Sequence, residues 1–212
     1  DGTRGVVVLS VCSLFCRPVP PFVQTNIKRR RAFFSVAHMG YAMIGLAAGT
    51  EQGVTAMLVY LAIYVTMNIG TFSFILMLEK DGTPVTDINA LNQFASREPG
   101  KALAVLILMF SLAGVPPMLG FFAKLGVWQA GVDAGLMGLV VASAVASVIG
   151  AFYYLRIVFY MYFGSGEGEV EIKGSPVLTL ALMGSAALML IGVVYRFGID
   201  GAAAAAAATL VN

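Results

Sequence analysis

The chain has 212 residues, of which 59% are hydrophobic and only 11% charged, and its mean hydropathy is +0.88. A soluble protein of this size needs a charged exterior that so few charged residues cannot supply, and several apolar runs are long enough to cross a bilayer. The composition therefore excludes a soluble globular domain and predicts an all-α, polytopic transmembrane helix bundle. The formal net charge of +2 says little about partners.

Residues 1–23 form an atypical N-terminal segment. Residues 5–16 are apolar, but such a short run does not span a bilayer, and three prolines within residues 17–21 end it abruptly. The segment lacks a small-residue cleavage site ahead of a soluble domain, so we expect no secretory signal. Cys12 and Cys16 have no further cysteines or clustered histidines nearby, so we expect no metal site.

A basic cluster precedes the first long apolar segment and consists of Lys28, Arg29, Arg30 and Arg31. Such a cluster is typical of a topology anchor on the cytoplasmic side of a membrane. Nucleic-acid binding needs a folded basic surface, and no soluble region surrounds the cluster, so we expect no nucleic-acid partner. Lys28 and Arg29 are therefore predicted to be anchors, or to lie at the entry of a channel.

Five apolar segments follow and predict a membrane domain over residues 24–197. The predicted spans lie near residues 32–48, 54–78, 102–130, 135–163 and 176–197. The connections at residues 49–53 and 131–134 are short enough to be tight turns. Residues 79–100 form the longest polar loop, and residues 198–212 form a low-complexity, Ala-rich tail to which we assign no chemistry.

The basic residues fall almost entirely on one side of this layout. One side receives Lys28, Arg29, Arg30, Arg31, Lys80, Arg97, Lys101 and Lys173, and the other receives Arg196. Cytoplasmic loops of membrane proteins carry an excess of lysine and arginine. The distribution therefore predicts that the basic loops are cytoplasmic and that the C-terminus lies on the opposite side.

The third span contains a helix break. As one helix, its 29 residues would reach about 43 Å, more than the ~30 Å hydrocarbon core requires. Pro116 and Pro117 cannot donate backbone hydrogen bonds, and Pro117 disfavours the helical conformation at Pro116. Carbonyl groups freed near Gly114 must find partners in protein or water, because lipid offers none. We therefore expect a discontinuous helix whose break involves Gly114, Pro116, Pro117 and Gly120.

Lys124 is the candidate functional residue. It lies seven residues beyond Pro117, about two helical turns, and the apolar sequence continues past it to Ala130. A lysine that only snorkels to an interface beside a kinked helix is the alternative, but the apolar residues after Lys124 argue against it. A discontinuous helix with an ionisable residue near mid-depth is how transporters build ion sites.

His38 is the single histidine of the chain and lies near the start of the first span. An imidazole changes its charge near neutral pH, so His38 could relay protons. It could equally be a structural histidine that forms hydrogen bonds between helices, and the sequence leaves both interpretations open.

The sequence contains no P-loop, no GxGxxG motif, no CxxC pair and no histidine pair at helical spacing. These absences predict that the chain itself binds no nucleotide, dinucleotide, iron–sulfur cluster or haem. If the chain takes part in energy conversion, we expect it to move charge rather than carry electrons.

Four motifs resemble one known family. They are QTNIKR at residues 24–29, SVAHMGY at 35–41, SLAGVPPMLGFFAK at 111–124 and YYLR at 153–156. In this order they are similar to the second half of the antiporter-like subunits of proton-pumping NADH:quinone oxidoreductase, respiratory complex I, and most similar to subunit N. The resemblance covers about residues 24–197. The related subunit M typically has glutamate at the position of Lys124, whereas subunit L keeps lysine.

The resemblance implies the second of two inverted repeats, each with a broken helix. Lys124 would then take up and release a proton on the outward half of a proton path. The resemblance also implies that NADH, FMN, iron–sulfur clusters and quinone are bound by partner subunits and not by this chain. Its partners would be other membrane-arm subunits, the lipid bilayer and protons, and its location the bacterial inner membrane, with a periplasmic C-terminus.

Two departures from the family pattern affect this expectation. The upstream glutamate and the two lysines of the family's first half have no counterpart, and Arg30 and Arg31 stand where an apolar pair is usual. Residues 1–23 do not resemble the helix expected there, so we expect a truncated or frame-disturbed gene product. The alternatives are a subunit of a membrane-bound hydrogenase, a subunit of a multi-subunit Na⁺/H⁺ antiporter, and a non-functional fragment.

Overall fold

Helices dominate the computed structural model, which describes residues 2–15, 27–80, 82–85, 87–165, 170–172, 174–195 and 198–211. The helices are α1 (Gly2–Phe15), α2 (Ile27–Ala47), α3 (Glu51–Met77), α4 (Phe94–Arg97), α5 (Pro99–Ala113), α6 (Leu119–Asp133), α7 (Met137–Phe163), α8 (Pro176–Val194) and α9 (Ile199–Val211). The central helix is α3, which packs against α2, α5, α6, α8 and α9. The functional residues of the following sections lie on α2, α3, α5, α6 and α7.

The predicted all-α membrane bundle with one broken helix is confirmed. Within the described residues, α3, α7 and α8 are long and apolar enough to cross a membrane. The predicted third span is divided into α5 and α6. Helix starts follow ordinary capping chemistry, since Thr50 accepts a hydrogen bond from Gly53 N at 3.0 Å and Pro176 occupies the first turn of α8.

One end of the bundle carries a small antiparallel sheet that the sequence analysis did not predict. Its strands are β1 (Leu78–Lys80), β2 (Thr83–Pro84) and β3 (Glu171–Ile172), in the order β2-β1-β3. Leu78 pairs with Ile172 and Glu79 with Glu171. The connection after α3 and the connection after α7 therefore lie at the same end of the bundle.

Side-chain and backbone hydrogen bonds attach the end of α7 to the same connection. The backbone of Gln93 donates to the Tyr160 carbonyl at 3.2 Å, and Asn92 Nδ2 donates to the Ser165 carbonyl at 2.9 Å. Arg97 Nη1 donates to the carbonyl of Val170 at 2.9 Å. These bonds fix the C-terminal end of α7 to the polar loop that follows α3.

The segment predicted to be a low-complexity, Ala-rich tail contains helix α9. Helix α9 packs on α3 and buries Ala203 and Ala207. Alanine has the highest intrinsic helix propensity, and its small side chain allows two helices to approach closely. The alanines of α9 therefore suit a close contact with α3.

The N-terminal segment also forms a packed helix. Helix α1 lies against α2 and α7. Ser10 Oγ donates to the Gly40 carbonyl at 2.8 Å, and Leu14 is fully buried beside Gly40. Cys12 is exposed and free, whereas Cys16 lies outside the described residues.

Gly70 lies where α3 contacts both α5 and α8, and it provides a test of this packing. A Cβ at Gly70 would lie 2.7 Å from both Leu108 Cδ1 and Ser185 Cβ. Gly70→Leu should therefore overpack the bundle and cost about 1–3 kcal/mol or more. We expect a lower midpoint of thermal unfolding, followed by circular dichroism in detergent. Gly138→Leu is the control, because a Cβ there meets no atom within 4 Å, and equal midpoints for the two variants would refute the packing.

Candidate functional site

The helix break lies where the proline pair predicts it. Gly114 follows the last residue of α5 with φ of +82°, a left-handed conformation that glycine adopts without a Cβ penalty. Its backbone N–H and that of Val115 both donate to the Phe110 carbonyl at 3.0 Å. Pro116 and Pro117 are exposed in the turn, and α6 begins two residues later. The break is therefore a short turn between α5 and α6.

Lys124 fills the break with its ammonium group. Lys124 Nζ donates to the carbonyls of Leu112 and Ala113, each at 3.0 Å, and to Ser147 Oγ at 2.9 Å. The residue is only 3% exposed, so its side chain does not snorkel to an interface. The last carbonyls of a helix have no partner within it and carry partial negative charge, which a cation at this position neutralises. The carbonyls that the sequence analysis expects to need partners are thus satisfied by Lys124 itself.

Two glycines make this geometry possible. A Cβ at Gly114 would lie 3.1 Å from Lys124 Nζ, so the glycine leaves room for the ammonium group. Gly120 lets α6 approach the end of α5 so closely that a Cβ there would collide with the Ser111 carbonyl. The Gly120 backbone N–H donates to Ser111 Oγ at 3.0 Å, which links the two half-helices directly.

The ring of Tyr41 covers the charged group from the side of α2. Lys124 Nζ lies 5.0 Å from the centre of the ring. An ammonium group over an aromatic face is stabilised electrostatically, and the effect grows when both groups are removed from water. Helices α2, α5 and α7 thus each supply one kind of partner to the lysine on α6.

His38 is buried in a group of tyrosines on α2, α3 and α7. Its Nδ1 lies 2.7 Å from Tyr60 Oη and its Nε2 lies 3.1 Å from Tyr154 Oη. The Tyr64 ring stacks on the imidazole with 4.6 Å between ring centres. A tyrosine hydroxyl can donate or accept, so these two partners fit either neutral tautomer of His38 and also the imidazolium ion.

Lys124 and His38 face one small cavity. Its polar lining consists of Lys124, His38, Tyr41, Ser147 and Tyr154, and Ala37, Leu112, Ala146 and Gly150 complete it. Its volume of about 10 Å³ is the size of a single water site. The fold therefore brings the two titratable residues singled out from the sequence to one place.

The sequence analysis did not identify Ser147, Tyr60 or Tyr154 as site residues. The sequence pattern that could have identified two of them lies on α7. There, Ser147, Gly150 and Tyr154 follow one another at helical spacing in an otherwise apolar segment. Lys28 and Arg29 lie in the first turn of α2, and their side chains are outside the described part of the chain. Among the described residues, no group of three histidine, cysteine, aspartate or glutamate side chains is placed to hold a metal ion.

The model of a transmembrane family described as NADH:quinone oxidoreductase/Mrp antiporter matches residues 3–150. The chain belongs to this family. The match begins within α1, so the expectation that residues 1–23 lack family resemblance is wrong.

Relatives and solved structures agree with this membership. The chain is 53% identical to NADH-quinone oxidoreductase subunit N of Jannaschia sp. (strain CCS1), over 100% of the chain and 45% of the relative. It is 51% identical to the subunit of the same name from Rhodobacter capsulatus, over 98% of the chain and 43% of the relative. The chain thus spans less than half the length of these curated relatives.

Among solved structures, the fold is similar to a chain of respiratory complex I from Thermus thermophilus with bound aureothin. The TM-score is 0.80 at 26% identity, over 92% of this chain and 44% of that one. The Mrp complex from Dietzia sp. DQ12-45-1b gives a TM-score of 0.81 at 20% identity, over 99% of this chain and 47% of that one, which is a likeness of fold alone.

The contact between Gly120 and Ser111 provides a second test. Gly120→Ala would push the start of α6 away from the end of α5, at an overpacking cost of about 1–3 kcal/mol. We expect a lower midpoint of thermal unfolding in detergent. Gly126→Ala, on the same helix, is the control because the nearest atom to its Cβ would be Ala56 Cβ at 4.0 Å. Equal effects of the two substitutions would contradict the close approach at the break.

Proposed function

We propose that the chain forms the outward half of a proton channel in subunit N of proton-translocating NADH:quinone oxidoreductase, with Lys124 as the group that carries the proton. The observation that carries this proposal is the buried ammonium group of Lys124, held by two carbonyls of the helix break and by Ser147 Oγ on α7, and facing the same cavity as His38. The family membership and the relatives named subunit N support the same function. The partner subunits of the membrane arm would bind the redox cofactors, namely NADH, FMN, iron–sulfur clusters and quinone.

The surroundings of Lys124 suit a group that both binds and releases a proton. Removing an ammonium ion from water is costly, whereas its three acceptors and the negative end of α5 compensate for that cost. The cost of desolvation and the stabilisation by these acceptors are both large and of opposite sign. A modest change in the position or charge of a neighbour therefore alters the proton affinity of Lys124. A lysine in such a site can change its protonation state in response to events elsewhere in a complex.

His38 fits the role of a relay better than that of a fixed structural residue. A structural histidine is usually held in one tautomer by a carbonyl or carboxylate acceptor. His38 instead has a tyrosine hydroxyl at each ring nitrogen, and hydroxyl rotation alone keeps both bonds in every protonation state. We infer that His38 exchanges protons with the cavity.

The proposed orientation is that of a bacterial inner membrane protein with cytoplasmic basic loops and a periplasmic C-terminus. The sheet supports it, because β1 and β3 bring the two polar connections of the predicted basic side to the same end of the bundle. Arg97 and Lys101 lie in this region.

The central test is Lys124→Met in the full-length subunit within the assembled complex. We expect NADH-driven proton uptake by inverted membrane vesicles to fall roughly tenfold or more, since a proton carrier is lost, while assembly is retained. Lys101→Met is the matched control, because Lys101 forms a partly exposed ion pair with Glu98 at 3.2 Å and lies outside the site. Unchanged proton uptake in the Lys124→Met complex would disprove the proposed role.

The family name also includes Mrp antiporters, so a Na⁺/H⁺ antiporter subunit is the second candidate. Proton transport that depends on sodium, without NADH-dehydrogenase subunits in the purified complex, would favour that candidate over subunit N.

The orientation is tested with single cysteines at the two ends of α7, after Cys12→Ser and Cys16→Ser replacement. Ala134 and Ser165 are both exposed and lie just beyond opposite ends of the helix. We expect a membrane-impermeant maleimide to label Ala134→Cys in spheroplasts and Ser165→Cys in inverted vesicles. The reverse pattern would overturn the orientation without affecting the role of Lys124.

A further inference from the structure

Helix α7 presents one polar stripe to the interior of the bundle. Ser147, Gly150 and Tyr154 are all buried, and their spacing places them on one face of the helix. Each of them lines the cavity between Lys124 and His38. The outer face of α7 is apolar and exposed, as expected of a helix in contact with lipid.

Ser147 is connected to Lys124. Its Oγ accepts a hydrogen bond from Lys124 Nζ at 2.9 Å, which leaves the hydroxyl hydrogen to point elsewhere. Because Ser147 also lines the cavity, this hydrogen can be donated to a molecule there. Ser147 is thus the exit for a proton that leaves the ammonium group.

Tyr154 makes the corresponding connection to His38. Its hydroxyl lies 3.1 Å from His38 Nε2, and the residue lines the same cavity. Long side chains on a helix extend toward its N-terminus, so the Tyr154 ring reaches back in the direction of Ser147. Both hydroxyl-bearing residues therefore line the cavity, Ser147 in contact with Lys124 and Tyr154 in contact with His38.

The ring of Tyr41 does not offer an equivalent route. Lys124 Nζ lies over the ring face, and a π face neither accepts a proton nor passes one on. The ring face of Tyr41 therefore stabilises the charge, whereas the hydroxyl of Ser147 is chemically able to transfer the proton.

We propose that Ser147, one water molecule in the cavity, and Tyr154 form the proton-conducting link between Lys124 and His38. This inference rests on the function proposed above for Lys124. When the Lys124 ammonium releases its proton to Ser147 Oγ, the serine passes its own hydroxyl proton to the water. The water passes one of its protons to Tyr154 Oη, and the tyrosine hydroxyl proton moves to His38 Nε2. Lys124 ends as a neutral amine and His38 as an imidazolium, with both hydroxyls and the water restored.

The test uses the full-length subunit in the assembled complex and measures protons taken up per NADH oxidised by inverted vesicles. Tyr154→Phe and Ser147→Ala each remove one hydroxyl, and Gly150→Ala adds a methyl group to a cavity that holds one water. We expect each variant to lower proton uptake several-fold. Ser147→Thr keeps a hydroxyl and should retain most of the uptake.

Matched controls come from the same helix. Tyr160→Phe is the control for Tyr154→Phe, because Tyr160 is near Arg156, with Arg156 Nη2 donating to its hydroxyl at 3.4 Å, and does not line the cavity. Gly138→Ala is the control for Gly150→Ala, since a Cβ at Gly138 meets no atom within 4 Å. Both controls should pump normally.

A structural role and a conducting role differ in the solvent isotope effect. If the link conducts protons, the residual uptake of Tyr154→Phe in D₂O should slow more than that of the wild type, because proton transfer becomes the slow step. Normal uptake in Tyr154→Phe, Ser147→Ala and Gly150→Ala, together with lost uptake in Lys124→Met, would overturn this link alone. Normal uptake in Lys124→Met would overturn the proposed function itself.

Discussion

The ammonium group of Lys124 on the last carbonyls of α5 is the interaction on which the site depends. A helix break within a bilayer leaves carbonyl oxygens without partners, and lipid cannot supply them. A lysine in the same apolar environment needs oxygen acceptors just as strongly. Each group therefore provides the hydrogen-bond partner that the other lacks, since the carbonyls of Leu112 and Ala113 accept from Lys124 Nζ at 3.0 Å.

This mutual dependence links protonation to conformation. The ammonium form has three N–H donors and three oxygen acceptors within reach. A neutral amine has two N–H donors for the carbonyls of the break and a lone pair to which the Ser147 hydroxyl can donate, but none of these three bonds is then strengthened by a charge. Loss of the proton therefore weakens the hold of α6 on α5 or on α7, and a movement between these helices changes the proton affinity of Lys124 in return.

The sequence predicts the class of fold and the position of the break because these depend on composition and on proline chemistry. It also places Lys124 in the protein interior, since apolar residues continue on both sides of it. The partners of Lys124 and His38 could not be predicted in this way. Ser147 lies 23 residues from Lys124 and Tyr154 lies 116 residues from His38, so only the packing of α7 on α2 and α6 brings them together.

Short segments and segments of low sequence complexity also limit what can be predicted from the sequence. Strands of two or three residues, such as Glu171–Ile172, are too short to show an alternating pattern. The alanines of α9 have no amphipathic pattern from which a buried face could be assigned, although Ala203 and Ala207 are buried on α3. The first residues show a further limit, since a run of apolar residues too short to span a bilayer can still pack as a helix, as α1 does.

The hydrogen bonds of Asn92 and Gln93 at the end of α7 have a mechanical consequence. They fasten α7 where it ends, near Tyr160 and Ser165, and leave its opposite end beside the turn after α6. If α7 tilts, it pivots about the end held by these hydrogen bonds. The displacement of each residue of α7 then increases with its distance from that end. Ser147 lies farther from the pivot than Tyr154. Such a tilt would therefore open the contact between Ser147 and Lys124 before it disturbs the contact between Tyr154 and His38, so two residues of one helix respond unequally to the same motion.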